Sequence, residues 1–269
     1  MNNFTKITGY TIREQMRHKS FYVLLGVAVL FVLMIRGCYD SEYMLNGKVV
    51  DRFAVAWHVS RIVFQVIAAG MFLVAALLSM RIFSRDHADG SLVLFLSRSV
   101  FRWQYVFGRV TGTWILCLVF MFMLHLTIFL TVWGKTGAMI SGYLTASLIS
   151  SINLLFVIAC VCLLSLFMPD FISVIFALGI LFIGFISDGG YQIINSEILK
   201  SMAPAVANAE PSLWRILYPK VFMLQSYAGS FITNSEFNNM GTFHPVLNLT
   251  FFIIFLMTLM LIRFNRKEV

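Results

Sequence analysis

The residues most able to do chemistry are gathered in one place. Residues 81–112 read RIFSRDHADGSLVLFLSRSVFRWQYVFGRVTG and carry Arg81, Arg85, Arg98, Arg102 and Arg109 with Asp86 and Asp89. Uncharged runs flank this insert at 62–80 and 110–134. The segment 84–90 is polar, and Gly90 can take backbone conformations that other residues avoid. From Ser91 onward, Leu92, Phe95, Leu96, Trp103 and Val106 fall on one helical side, and Leu94, Phe101 and Tyr105 on the opposite one. A helix that only covered a membrane would need one apolar side. Two opposed sides predict contact with two protein surfaces, the chain's own spans and something cytoplasmic. A turn near 97–99 would confine that pattern to its local stretch.

Other chemistries find fewer residues. A phosphate-cradling loop needs G-x-x-x-x-G-K-[ST]. The nearest fragment is Gly134, Lys135 and Thr136, with Phe129 where the first glycine belongs. His125 is the one ionisable group inside an apolar run, and such a group is a functional candidate by default. A neutral histidine can equally hydrogen-bond a neighbouring helix. Cys160 and Cys162, two apart, point to nearly opposite sides of a helix and share no metal. The 15 methionines are read as packing rather than as copper ligands. Gly108 and Gly112, four apart, would let another helix approach closely.

These residues must be held by an apolar scaffold. The chain has 269 residues, 59% hydrophobic and 12% charged. Its long uncharged runs are those of membrane spans, which need about 20 apolar residues in helical form. Six are expected, at 20–35, 62–80, 110–133, 143–167, 171–187 and 246–262. None of them contains Asp, Glu, Lys or Arg. Met168, Pro169 and Asp170 should break the helix between the fourth and fifth. Twelve Lys and Arg residues fall on the side of both termini and the insert, against six on the other side. The excess predicts cytoplasmic termini and a cytoplasmic insert. The net charge of +8 therefore sits at span ends, which speaks against a nucleic-acid partner. Ahead of the first span, Lys6, Arg13 and Arg17 fall on one helical side and Phe4, Ile7, Thr8 and Thr11 on the other, as in a helix lying at the membrane interface. The outer loop 188–245 is long enough to carry a function, and two apolar stretches in it suit short surface helices or a packed cap.

RDHADGSLVLFLSRSVFRWQYVFGRVTG resembles the loop between spans 2 and 3 of type-2 ABC transporter permeases. Asp86, Gly90, Ser91, Leu92, Ser97, Arg102, Gly108 and Arg109 stand at matching places. IREQMRHKSFYVLL is similar to the amphipathic helix that precedes span 1 in that family. Ser99 departs from the usual proline, Asp86 from the commoner Glu, and Ser91 from the commoner Thr. The resemblance implies an all-α membrane protein forming a single transmembrane domain over 1–269. It would have six transmembrane helices, an N-terminal interface helix (1–19), a cytoplasmic coupling helix within 81–109, and short helices in the outer loop. It implies a permease subunit of an ATP-driven exporter in a bacterial inner membrane, working by alternating access. ATP and magnesium would sit on a separate cytoplasmic ATPase. A second permease copy, identical or different, would complete the path. The residues implied in ATPase coupling are Arg85, Asp86, Asp89, Gly90, Ser91, Leu92, Leu94, Phe95, Arg98, Arg102, Gly108 and Arg109. The alternative is a non-transporting anchor that passes ATPase strokes to a periplasmic or membrane partner through the outer loop. A role in maturing a respiratory enzyme belongs to that alternative.

Overall fold

The computed structural model describes residues 3–17, 19–38, 44–45, 48–49, 52–88, 100–137, 139–194, 217–237 and 243–266. The helices are α1 (Asn3–Met16), α2 (Lys19–Cys38), α3 (Arg52–Ser79), α4 (Ile82–Ala88), α5 (Arg102–Thr136), α6 (Gly142–Leu164), α7 (Asp170–Ile194), α8 (Val221–Thr233) and α9 (Pro245–Arg266). A two-residue antiparallel pairing, β1 (Met44–Leu45) with β2 (Lys48–Val49), is the extended structure among the described residues.

Among the described residues, five helical stretches are long and apolar enough to cross a membrane: Trp57–Asp86, Arg102–Thr136, Gly142–Leu164, Asp170–Gln192 and Pro245–Arg266. They make the chain a multi-pass membrane protein. The expected span 20–35 falls within α2, whose apolar stretch Phe21–Leu30 is shorter than these five. Tyr22, Val23, Val27, Leu30 and Met34 of α2 are exposed, as are Phe171, Ile175, Phe182 and Ile186 of α7 and Phe251 and Ile254 of α9. Apolar side chains in such number face outward stably only where the surroundings are not water.

The helix ends follow local chemistry. α5 begins after Phe101, which is extended at φ −70° and ψ 143°. The Phe101 N–H donates to Gln104 Oε1 at 3.3 Å. The helical wheel drawn through 91–106 therefore does not continue across Phe101, and Trp103 is exposed while Tyr105 and Val106 are buried. α5 ends at Gly137, whose positive φ of 71° is cheap for glycine and lets its N–H reach the Trp133 carbonyl at 2.9 Å. The expected break at Pro169 is present: α6 stops at Leu164 and α7 starts at Asp170. A carboxylate in the first turn favours that start.

α6 is the hub, packed by α3, α5, α7, α8 and α9. Its inward side chains are small or apolar, among them Ala146, Leu154, Val157, Ile158, Ala159 and Val161. α8 falls in the stretch expected to form a short surface helix or a packed cap, and it is packed against the bundle. It runs antiparallel to α6. The Phe231 carbonyl occupies the space a side chain would need at Gly142, and Asn153 Nδ2 donates to the Val221 carbonyl at 3.3 Å. Gly142 and Asn153 are eleven residues apart, which is about 16 Å along a helix. α8 thus descends roughly halfway along the 23-residue α6. Of the loop's other apolar stretch, residues 195–206 lie outside the described residues.

Candidate functional site

The insert is anchored by a buried polar network. Asp86 on α4 and Arg109 on α5 are each 2% exposed. Arg109 Nε donates to Asp86 Oδ2 at 2.7 Å, and Arg109 Nη2 forms the ion pair with Asp86 Oδ1. The guanidinium meets the carboxylate through two nitrogens, the strongest geometry available to the pair. The Tyr105 hydroxyl donates to the same carboxylate, and its ring stacks on Phe264 of α9 with centroids 5.6 Å apart. Arg109 Nη1 reaches α1, pairing with Glu14 and donating to Thr11 Oγ1 at 3.3 Å. Gln15 Nε2 donates to Thr113 Oγ1 at 2.8 Å. Ser84 Oγ donates to Asp170 Oδ2 at 2.7 Å, tying α4 to the start of α7. One arginine therefore holds α1, α4 and α5 together, and its neighbours add α7 and α9.

Close approach makes the network possible. A Cβ at Gly108 would stand 2.8 Å from Ile7 Cγ2, and one at Gly112 would stand 2.8 Å from Thr11 Cβ and 2.9 Å from the Thr8 carbonyl. Both glycines are thus the groove in which α1 lies. Thr8 and Thr11 turn their hydroxyls back to the Phe4 and Ile7 carbonyls at 3.0 and 2.9 Å. This satisfies the hydroxyls without widening the contact. The side of α1 that carries Ile7, Thr8 and Thr11 is buried against α5, while Lys6, Arg13 and Arg17 are exposed.

The candidate residues thus divide. Asp86 and Arg109, expected at the cytoplasmic surface, are internal, because each is neutralised by the other. The helix that holds the expected span 110–133 begins earlier, at Arg102. Arg85 is 40% exposed on its side chain and lies 3.8 Å from Glu14. Arg102 Nη1 donates to the Asn265 carbonyl at 2.8 Å, fastening the start of α5 to the end of α9. Asp89, Gly90, Ser91, Leu92, Leu94, Phe95 and Arg98 lie outside the described residues. His125 stands apart, fully buried between α3, α5 and α6. Its Nδ1 lies 2.8 Å from Ser147 Oγ, and its ring stacks on Phe64 at 4.9 Å. That is a helix-to-helix contact within the core.

A second polar cluster escaped the sequence reading. Asp188, expected as the first residue of a loop, lies in α7 and is 2% exposed. Lys220, expected in the same loop, is 1% exposed, and its Nζ lies 3.0 Å from Asp188 Oδ1. The Lys220 N–H donates to Asn248 Oδ1 at 2.9 Å. Beside it, Ser150 Oγ and Asn153 Nδ2 donate to Gln225 Oε1 at 2.7 and 3.3 Å. The spans are therefore not free of charge at their buried faces. Asn153, an amide in the middle of an expected span, is the trace of this cluster in the sequence.

Among the described residues no group of three or more His, Cys, Asp or Glu is placed to hold a metal ion. The network ties α4 and α5 to α1, and its neighbours reach α7 and α9. Compared with protein-family models and with curated proteins, the chain matches none.

Proposed function

We propose that this chain is the permease subunit of a type-2 ABC transporter, an exporter that pairs with a second permease copy and is driven by a separate cytoplasmic ATPase. The carrying observation is the Asp86–Arg109 pair, with Glu14 and Tyr105 on the same two side chains. An ATPase pressing on residues 89–99 would push on two helix ends, α4 and α5. Because Arg109 binds both of them to α1, the push reaches three elements together. Through Ser84 and Asp170 it reaches α7 as well. A stiff lever of this kind suits alternating access, where the ATPase closed state must favour one arrangement of the spans over the other. ATP and magnesium belong to the partner in this reading, and the bilayer is the bacterial inner membrane with both termini on the ATPase side.

The test is co-purification and coupling. The full chain is expressed with candidate ABC-class ATPases of the same organism, one at a time, and reconstituted in vesicles. Wild type is expected to bind the ATPase and raise its turnover. Gly90→Pro is expected to keep the fold and lose the stimulation. An ATPase that neither binds nor responds to the wild-type chain contradicts the proposal.

A further inference from the structure

A cavity of about 390 Å³ opens where the apolar part of α3 ends, between α1, α4 and α5. Its size lies in the range of small-ligand sites, about 300–1,000 Å³. One wall is apolar, formed by Leu77, Leu78 and Met80. The other carries Arg81, Arg85, Glu14 and Gln15. Arg81 is exposed and forms no ion pair among the described residues. Arg109, which also lines the cavity, is neutralised by Asp86, and Arg85 lies 3.8 Å from Glu14, so Arg81 supplies a further positive charge to the cavity. Gln15 Oε1 is buried with no hydrogen-bond partner in the described structure.

We infer that this cavity binds one anionic phospholipid by its headgroup. The mixture of walls is what such a molecule requires. Arginine forks match phosphate oxygens through paired donors. The apolar residues of the lining continue along α3, so the acyl chains can run back past Leu73, which is exposed. Basic pockets between helices at the membrane boundary suit acidic headgroups. Gln15 Oε1 offers an acceptor, which favours a headgroup bearing hydroxyls, as a glycerol does. The bound lipid would brace α1 against α3 beside the Arg109 network. This inference does not rest on the ATPase reading.

The test uses the full purified chain in neutral detergent with no ATPase present, so either proposal can fail alone. Phosphatidylglycerol, phosphatidylcholine and inorganic phosphate are titrated separately. Bound lipid is counted by native mass spectrometry, and the melting temperature is followed in parallel. One phosphatidylglycerol is expected to remain bound and to raise the melting temperature, with phosphatidylcholine and inorganic phosphate giving no comparable shift. Arg81→Gln with Arg85→Gln should weaken that binding at least tenfold. Leu78→Trp, which narrows the apolar wall and removes no charge, should weaken it too. Arg13→Gln with Arg17→Gln removes the same charge from the exposed face of α1 and should leave it intact. The melting temperature of each variant in phosphatidylcholine alone reports whether it has folded. Equal loss from both arginine pairs would reduce the effect to general surface charge and overturn the site. An equal shift from inorganic phosphate would make it a free-anion site and overturn the lipid.

Discussion

Two buried ion pairs occupy opposite halves of this molecule, and they are built differently. Asp86–Arg109 shares its charges with Glu14, Tyr105 and Thr11, so at least three elements converge on one guanidinium. Asp188–Lys220 joins α7 to the residue just before α8, with Asn248 of α9 taking the backbone N–H of the same lysine. The first is a junction between helices that flank a polar insert. The second pins a half-length helix into the bundle. Both keep charge away from the apolar surroundings, because an unpaired buried charge costs several kcal/mol. The difference is in what depends on each: α1, α4 and α5 on the first, the seating of α8 on the second.

The largest effect expected is from Arg109→Ala. It leaves the Asp86 carboxylate buried without its cation, a cost of about 3–5 kcal/mol. The folded yield and the melting temperature in detergent should both fall sharply. Replacing Asp86 and Arg109 together with apolar residues should recover little, since Tyr105 loses the carboxylate it donates to and Glu14 loses the nearer of its two arginines.

Lys220→Met should cost a similar or slightly smaller amount, again about 3–5 kcal/mol, for the same reason. Here the double variant Asp188→Leu with Lys220→Met should recover most of the loss, because well-packed apolar residues often replace a buried pair at little cost. A thermal double-mutant comparison checks both. Equal recovery at the two pairs would erase the contrast between junction and pin.

Gly112→Leu should be milder, about 1–3 kcal/mol, by forcing α1 away from α5 against Thr8 and Thr11. Limited proteolysis should then cut within 3–16 faster, while α8 remains protected. Smallest is Ser147→Ala beside His125, which removes one buried hydrogen bond worth about 1 kcal/mol. It should shift the melting temperature slightly and leave both ion pairs unaffected.

The sequence made one of these regions legible and hid the other. The insert stood out because five arginines interrupt uncharged runs, and its partners Asp86 and Arg109 are close along the chain. The spacing of Gly108 and Gly112 announced a close helix contact, though not that α1 would fill it. The wheel of α1 grouped Ile7, Thr8 and Thr11, which are buried, but did not name α5 as their neighbour, because an apolar face reads the same against lipid as against protein. Asp188 and Lys220 were assigned to a loop by their charge. Hydropathy counts each charge as an exit from the membrane, and it cannot register two charges that neutralise each other after the chain has doubled back. Asn153 and Ser150 were visible inside an expected span, but nothing local to them indicated that Gln225 would descend to meet them.

The central claim is that the helices flanking residues 89–99 move with α1 as one body because Arg109 joins them. Hydrogen exchange on the wild type and on Asp86→Asn tests it most directly, in vesicles and with no partner present. The account predicts that amides of 3–16, 82–88 and 102–113 lose protection together in the variant, while those of α6 keep theirs. Loss confined to 82–88, with α1 as protected as before, would contradict it.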